Sequence, residues 1–189
     1  MSSASPFTFT IISTARLELV RATLELAECE QRNRVRFADM LGVSEPALWP
    51  PPLNDEQSHQ YFLNRLRKEG ENDFHGWYIL LREPRVLIGN AGFKTQPENG
   101  VVEVGYSVLP RFQRHGYCTE AVRALIGRAF THARVERVAA ETLPHLWPSI
   151  RVMEKCRMRF VGHGAEEEGM RTVRYEVGRT QFFKPEPIR

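Results

Sequence analysis

Apolar and polar positions along the chain change period several times, and each change marks an element. From Phe9 to Val20 the apolar residues, an Ile11–Ile12 pair and then Leu17 and Leu19, fit the period-two pattern of a strand. Thr23 reads as a helix N-cap. From Leu24 to about Leu41 the apolar residues recur at helical spacing, giving one or two short helices that Gly42 stops. Trp49-Pro50-Pro51-Pro52 cannot continue a helix, because successive prolines lack donors and fix φ, so a stiff loop is expected. Asn54 or Asp55 caps a further helix ending near Glu69, before Gly70.

The pattern then turns to strands over Phe74–Leu81, Arg85–Phe93 and Val101–Leu109, separated by short polar turns, which predicts an antiparallel meander. A helical run from Gly116 to about His132 follows. After it come a strand over Val135–Thr142, a helix from about Pro148 to Lys155, and closing strands near Phe160 and over Val173–Val177. No repeat, low-complexity tract or long linker divides the sequence, and 189 residues suit one domain over 1–189 with a single substantial core.

Composition narrows the class. Hydrophobic residues at 42% and charged residues at 26% are ordinary globular values. The surplus of 26 basic over 23 acidic side chains is too small for a dedicated nucleic-acid binder, though a local basic pocket is compatible with it. The first ten residues lack a basic n-region, and no apolar run approaches the roughly 18 residues needed to span a bilayer, so a cytoplasmic protein with no membrane partner is expected. Cys29, Cys118 and Cys156 are odd in number and widely spaced, which suits free thiols and supports neither a disulfide framework nor a metal site.

The chemistry concentrates where strand Val101–Leu109 meets Pro110 and then Arg111-Phe112-Gln113-Arg114-His115-Gly116-Tyr117-Cys118-Thr119-Glu120-Ala121. Pro110 cannot donate to a ladder and marks the end of strand pairing. Gly116 allows close approach of backbone to a ligand. The unpaired amides that open the following helix, together with its dipole, favour an anion, so the segment predicts a phosphate or pyrophosphate site. Neither GxxxxGK[ST] nor GxGxxG is present, which removes the defining glycines of the P-loop and dinucleotide folds.

Gln113-x-x-Gly116-x-Cys118 resembles the Q/R-x-x-G-x-G/A motif of the GNAT superfamily, whose loop cradles the pyrophosphate of coenzyme A. The wider stretch is similar to the signature of the RimJ/RimL-like branch, the ribosomal-protein N-terminal acetyltransferases. Three more segments agree in order: Thr14-Ala15-Arg16-Leu17-Glu18-Leu19, Ile88-Gly89-Asn90-Ala91-Gly92-Phe93, whose glycines suit a bulge, and Ser149-Ile150-Arg151-Val152-Met153-Glu154-Lys155. The resemblance runs from Thr14 to about Gly178. It implies a single α+β domain with a mostly antiparallel central sheet of about six or seven strands, flanked by helices and splayed at the acyl-CoA site.

The activity implied is direct transfer of an acetyl group from acetyl-CoA, a cosubstrate, to an amine acceptor such as a protein N-terminus or a small amine; a homodimer is compatible with it. The alternative is a catalytically silent acyl-CoA-binding regulator. That alternative draws on Leu146, which stands where the family has an Asn facing the pantetheine. The implied donor-binding positions are Val108, Leu109, Gln113, Arg114, His115, Gly116, Cys118, Thr119, Leu146 and Lys155. Arg151 lies four residues before Lys155 on one helical face.

Glu103 shares a strand face with Val101, Gly105 and Ser107, so a mid-strand carboxylate needs a partner. It is the candidate general base for an amine that is mostly ammonium near neutral pH; the competing reading is a structural ion pair with an arginine. Ser149 matches a position that contacts the pantetheine or protonates the departing thiolate, and as a lone serine it could equally cap a helix. A covalent role for Cys118 is disfavoured, because no His and Asp or Asn partners accompany it. Trp49 and Trp147 are candidate walls of an acceptor pocket, against an ordinary packing role.

Overall fold

In the computed structural model, which describes residues 8–44, 48–52, 54–167 and 169–185, Thr14 divides the first apolar stretch in two. Its hydroxyl accepts from the Leu17 N–H at 3.0 Å, and its own N–H donates to the Leu17 carbonyl at 2.9 Å. The result is a tight turn between β1 (Ile11–Ser13) and β2 (Leu17–Arg21) rather than one long strand. Two short helices follow, α1 (Leu24–Arg32) and α2 (Arg34–Leu41), separated where Asn33 ends the first and caps the second through the Arg36 N–H. Gly42 closes α2 at φ 65°. Helix α3 (Glu56–Glu69) starts at Asp55, whose carboxylate accepts from the Ser58 N–H at 2.7 Å.

The expected meander is present as β3 (Gly76–Leu81), β4 (Val86–Phe93) and β5 (Val101–Val108). Between β3 and β4 the register passes from Ile79↔Gly89 to Leu80↔Leu87, so Ile88 is the extra residue of a bulge. A side chain at Gly89 would meet the Ser107 carbonyl at 2.4 Å, which explains the glycine. A short 3-10 turn, Pro110–Phe112, leads to α4 (Tyr117–Ala129). Then come β6 (Arg137–Thr142), α5 (Trp147–Lys155), the hairpin β7 (Arg159–Glu167) with β8 (Met170–Gly178), and α6 (Arg179–Phe183), an element for which the sequence pattern gave no signal.

Among the described residues the sheet has eight strands in the order β1-β2-β3-β4-β5-β6-β8-β7, above the six or seven expected because the β1–β2 turn makes two strands of one stretch. Every pairing is antiparallel except β5 with β6. Alternation divides the apolar side chains between two cores. Trp77, Ile79, Val102, Val104 and Val138 pack with Val122, Leu125 and Ile126 of α4 on one face. Val20, Tyr78, Leu80 and Leu87 pack with Leu26 of α1 and Phe37 and Leu41 of α2 on the other. Trp49 packs in this second layer: it is buried, and its indole N–H donates to Glu30 at 2.7 Å, a carboxylate that also accepts from the Tyr78 hydroxyl at 2.5 Å. Trp49 is therefore packing, whereas Trp147 is 67% exposed at the start of α5. No helix among the described residues is long and apolar enough to cross a membrane.

Candidate active site

The central feature of the sheet is an interruption. Strand β5 pairs with β6 only through Val101↔Arg137, Val102↔Val138 and Glu103↔Ala139, and no pair follows although both strands continue. On its other edge β5 stays bonded to β4 along its length, from the Lys94 N–H on the Glu103 carbonyl (2.8 Å) to the Leu109 N–H on the Ile88 carbonyl (2.8 Å). Main-chain groups of an antiparallel strand alternate between its two edges. Those of Tyr106 and Val108, and the carbonyl of Val104, therefore face the gap left by β6. One of them is engaged, the Val108 carbonyl accepting from the Gln113 side-chain amide at 3.1 Å. The Leu109 N–H is on Ile88, its carbonyl accepts from the Phe112 N–H at 2.9 Å, and its side chain is buried in the α1–α2 core. It anchors the end of the strand, where Val108 is the last residue facing the gap.

At that end the chain turns through two left-handed positions, Arg114 at φ 64° and Gly116 at φ 84°, and enters α4. Gln113, Arg114, His115 and Gly116 are all exposed. Helices α1, α2 and α3 each have a side-chain cap; α4 and α5 have none, so their first N–H groups lack that partner. The His115 ring accepts no cap role either: its Nδ1 lies 2.7 Å from the Gln113 carbonyl, and the ring stacks on Tyr117. Beside the turn lies a cleft of about 550 Å³ lined by Arg16, Gly116, Thr119, Arg123 and Lys155, among others. Arg16 and Arg123, absent from the expected set, bring positive charge to it. Lys155 is held at its main chain by Arg123, whose Nε donates to the Lys155 carbonyl at 3.1 Å.

The two faces of β5 carry different chemistry. On the helix side Tyr106 reaches α5: its hydroxyl lies 3.0 Å from the Ser149 carbonyl and 3.1 Å from Ser149 Oγ. Burial pushes the Tyr106 phenol well up, so it stays protonated and donates. Ser149 is therefore fixed beside the gap rather than serving as a cap; Leu146 is the residue at the cap position, half-buried and without a polar side chain to offer. Burial also pushes the Cys118 thiol up to about 12, which keeps it from acting as a thiolate near neutral pH.

On the opposite face Glu103 stands beside a charged group of side chains, not among apolar ones. Lys94 Nζ lies 2.5 Å from its Oε1, so the partner is a lysine on the neighbouring strand end; Arg174 Nη1 is 3.8 Å from Oε2. Arg174 also pairs with Glu141 at 2.6 Å and Glu176 at 2.9 Å. Ser107 donates to the Pro52 carbonyl at 2.8 Å, which brings the proline loop to the edge of this face.

The sheet thus parts beside an uncapped helix start, and comparison with known proteins identifies the fold. A family model described as the acetyltransferase (GNAT) domain matches residues 16–159. The chain belongs to the GNAT acetyltransferase family. It is 29% identical over 134 residues, 69% of this chain and 78% of the relative, to the uncharacterised N-acetyltransferase YjdG of Bacillus subtilis. Among the solved structures that share the fold are two ribosomal-protein acetyltransferases. RimL, the ribosomal L7/L12 α-N-protein acetyltransferase solved with coenzyme A, is 17% identical with TM-score 0.65, covering 89% of this chain and 98% of its own. The ribosomal-protein-S5-alanine acetyltransferase of Vibrio fischeri is 18% identical with TM-score 0.62, covering 93% and 100%.

Tyr106, Arg16, Glu120, Arg123 and Lys94 are the residues at this site that the sequence reading did not single out. Arg16 and Glu120 both lie inside family-like segments, and that was a usable signal. Lys94 carried none, since its position depends on strand register.

Proposed function

We propose that this chain transfers an acetyl group from acetyl-CoA directly to the amine of an acceptor, a protein N-terminus or a small amine. The observation that carries the reading is the parting of β5 from β6 after Glu103, which leaves main-chain polar groups of three β5 residues facing a gap that ends at the uncapped start of α4. Residues around the gap fit the donor. Val104, Tyr106 and Val108 offer strand-like hydrogen bonds to a pantetheine amide chain. The exposed amides around Arg114, His115 and Gly116, with Cys118 and Thr119 on the first turn of α4, suit a pyrophosphate. Arg16, Arg123 and Lys155 line the adjoining cleft and suit further phosphate charge.

Acetyl-CoA supplies the acetyl group as a thioester. The protein's own part is to remove and return protons from opposite faces of one strand. Glu103 accepts a proton from the incoming ammonium on the charged face, so that a neutral amine attacks. Ser149, held by the Tyr106 hydroxyl, stands on the helix face as the proton donor to the departing sulfur. The GNAT membership and the N-acetyltransferase relative support this reaction class.

A melting experiment tests the donor. Coenzyme A should raise Tm by mass action and ATP should do much less; equal shifts would remove the pantetheine site. Thiol release from acetyl-CoA in the presence of pooled amines then separates an enzyme from an acyl-CoA-binding regulator, the reading that Leu146 at the α5 cap favours.

A further inference from the structure

We propose that Lys94 is an internal acetyl acceptor, modified on its ε-amino group by the same site that serves external amines; this rests on the donor reading above. Lys94 follows β4 directly and stands opposite Glu103, to whose carbonyl its N–H donates at 2.8 Å. The two side chains therefore share a face, and Nζ sits 2.5 Å from Glu103 Oε1. The amine is thus already on the carboxylate that deprotonates the acceptor. The stem of Lys94 crosses Gly105, its Cε 3.5 Å from where a Cβ would stand there, and Gly105 lies in the part of β5 that has lost β6. A residue with a side chain at 105 would press on that stem. Lys94 is also 53% exposed, so its end is free to swing from Oε1 toward the gap.

The chemistry balances without another reactant. The Lys94 ammonium gives a proton to Glu103, the neutral nitrogen bonds to the acetyl carbon, and the carbon–sulfur bond breaks. Acetyl-lysine, the free thiol and one released proton are the products. The modified side chain carries no charge and can no longer pair with Glu103, so the reaction would also change the acceptor face for the next amine.

The chain has four lysines, Lys68, Lys94, Lys155 and Lys184, among 26 basic residues, which makes site mapping direct. Purified protein is incubated with acetyl-CoA and no amine, then digested and mapped by mass spectrometry, alongside Lys94→Arg and Glu103→Gln variants checked for folding by melting curves. The expected result is one acetyl group, at Lys94, absent in Lys94→Arg and formed about 100-fold more slowly in Glu103→Gln, the scale of general-base catalysis. Modification of all four lysines at similar rates, or an unchanged rate in folded Glu103→Gln, identifies unassisted chemistry and overturns the proposal. An unmodified Lys94 in a chain whose Tm rises with acetyl-CoA overturns it and leaves the donor reading standing. An unmodified Lys94 in a chain that fails to bind acetyl-CoA removes both.

Discussion

Arg16 and Glu120, 104 residues apart in sequence, close a two-point pair over the first turn of α4, with Arg16 Nε and Nη2 each 2.7 Å from Glu120 Oε2. The Arg16 N–H and the Thr14 hydroxyl donate to the other carboxylate oxygen at 2.9 and 2.6 Å, and Arg16 Nη1 donates to the His115 carbonyl at 3.0 Å. The β1–β2 turn is thereby fastened to the Gln113–Gly116 turn from outside. Burial pulls the Glu120 carboxyl up, but the Thr14 and Arg16 donors outweigh it and hold it below the usual carboxylate value. Glu120→Gln should destabilise the fold by about 1–3 kcal/mol, the scale of a lost charged hydrogen bond, and should weaken coenzyme A binding roughly tenfold by loosening the turn. Urea titration and calorimetry on one variant measure both. A stable variant with unchanged affinity would show that the turn holds its shape without the pair.

Glu103→Gln keeps the shape and hydrogen-bonding capacity of the side chain and removes its ability to take a proton. Coenzyme A affinity should remain near its original value while turnover falls about 100-fold or more, and the loss should shrink as rising pH supplies free amine. The structural alternative makes a different forecast: a stranded Lys94 and Arg174 would lower Tm with little change in the pH–rate profile. Wild-type turnover at neutral pH in a stable variant would end the general-base role.

Gly116 sits at φ 84°, and a Cβ there would lie 3.4 Å from Arg16 Nη2. Gly116→Val should therefore both strain the turn and crowd the guanidinium that fastens it. Coenzyme A affinity is expected to drop by tenfold or more, on the order of 1.4 kcal/mol. Isothermal titration with an unchanged dissociation constant in a folded variant would move the pyrophosphate elsewhere.

Burial pushes both Cys118 and Cys156 up to about 12. At pH 8 only on the order of one thiol in ten thousand would then be ionised at either position. Thiol reagents should label these two residues slowly in the native state and fast after unfolding, and rapid quench during turnover should trap no acetyl-cysteine. An acetyl group on Cys118 would replace direct transfer with a two-step mechanism.

Arg65 links α3 to the strand ends beside Lys94, donating to the carbonyls of Phe93 at 2.8 Å and Phe74 at 3.1 Å. Its hydrogen bond to Glu69 is the main reason that carboxyl lies at about 2, below an ordinary 4.5. A depressed carboxyl contributes stability that is present above its unfolded value and lost as pH falls through the folded one. The urea midpoint should accordingly decline between about pH 4.5 and 2, and Arg65→Met should flatten the Glu69 part of that decline. An identical pH profile in the variant would assign the acid sensitivity to other carboxyls.

Local pattern determined much of this protein. Period-two and helical spacing marked the meander, α3, α4 and α5, because those elements bury one face each and the burial is written into consecutive residues. Gln113, Gly116 and the residues after them marked a turn and a helix start for the same reason: both are local in sequence. Turn chemistry at Thr14, which depends on a hydroxyl meeting one N–H three residues on, was below the resolution of the pattern and gave an eighth strand. What only the tertiary structure decided was everything that depends on strand register. The end of β5–β6 pairing after Glu103, the Arg174 guanidinium near that carboxylate, the Tyr106 hydroxyl on Ser149, and the Leu109 N–H on the Ile88 carbonyl all arise between segments tens of residues apart, and Lys94 meets Glu103 only through the β4–β5 register. Alternation says that a side chain faces one side of a sheet; which neighbour it meets there is fixed only when the strands are set side by side.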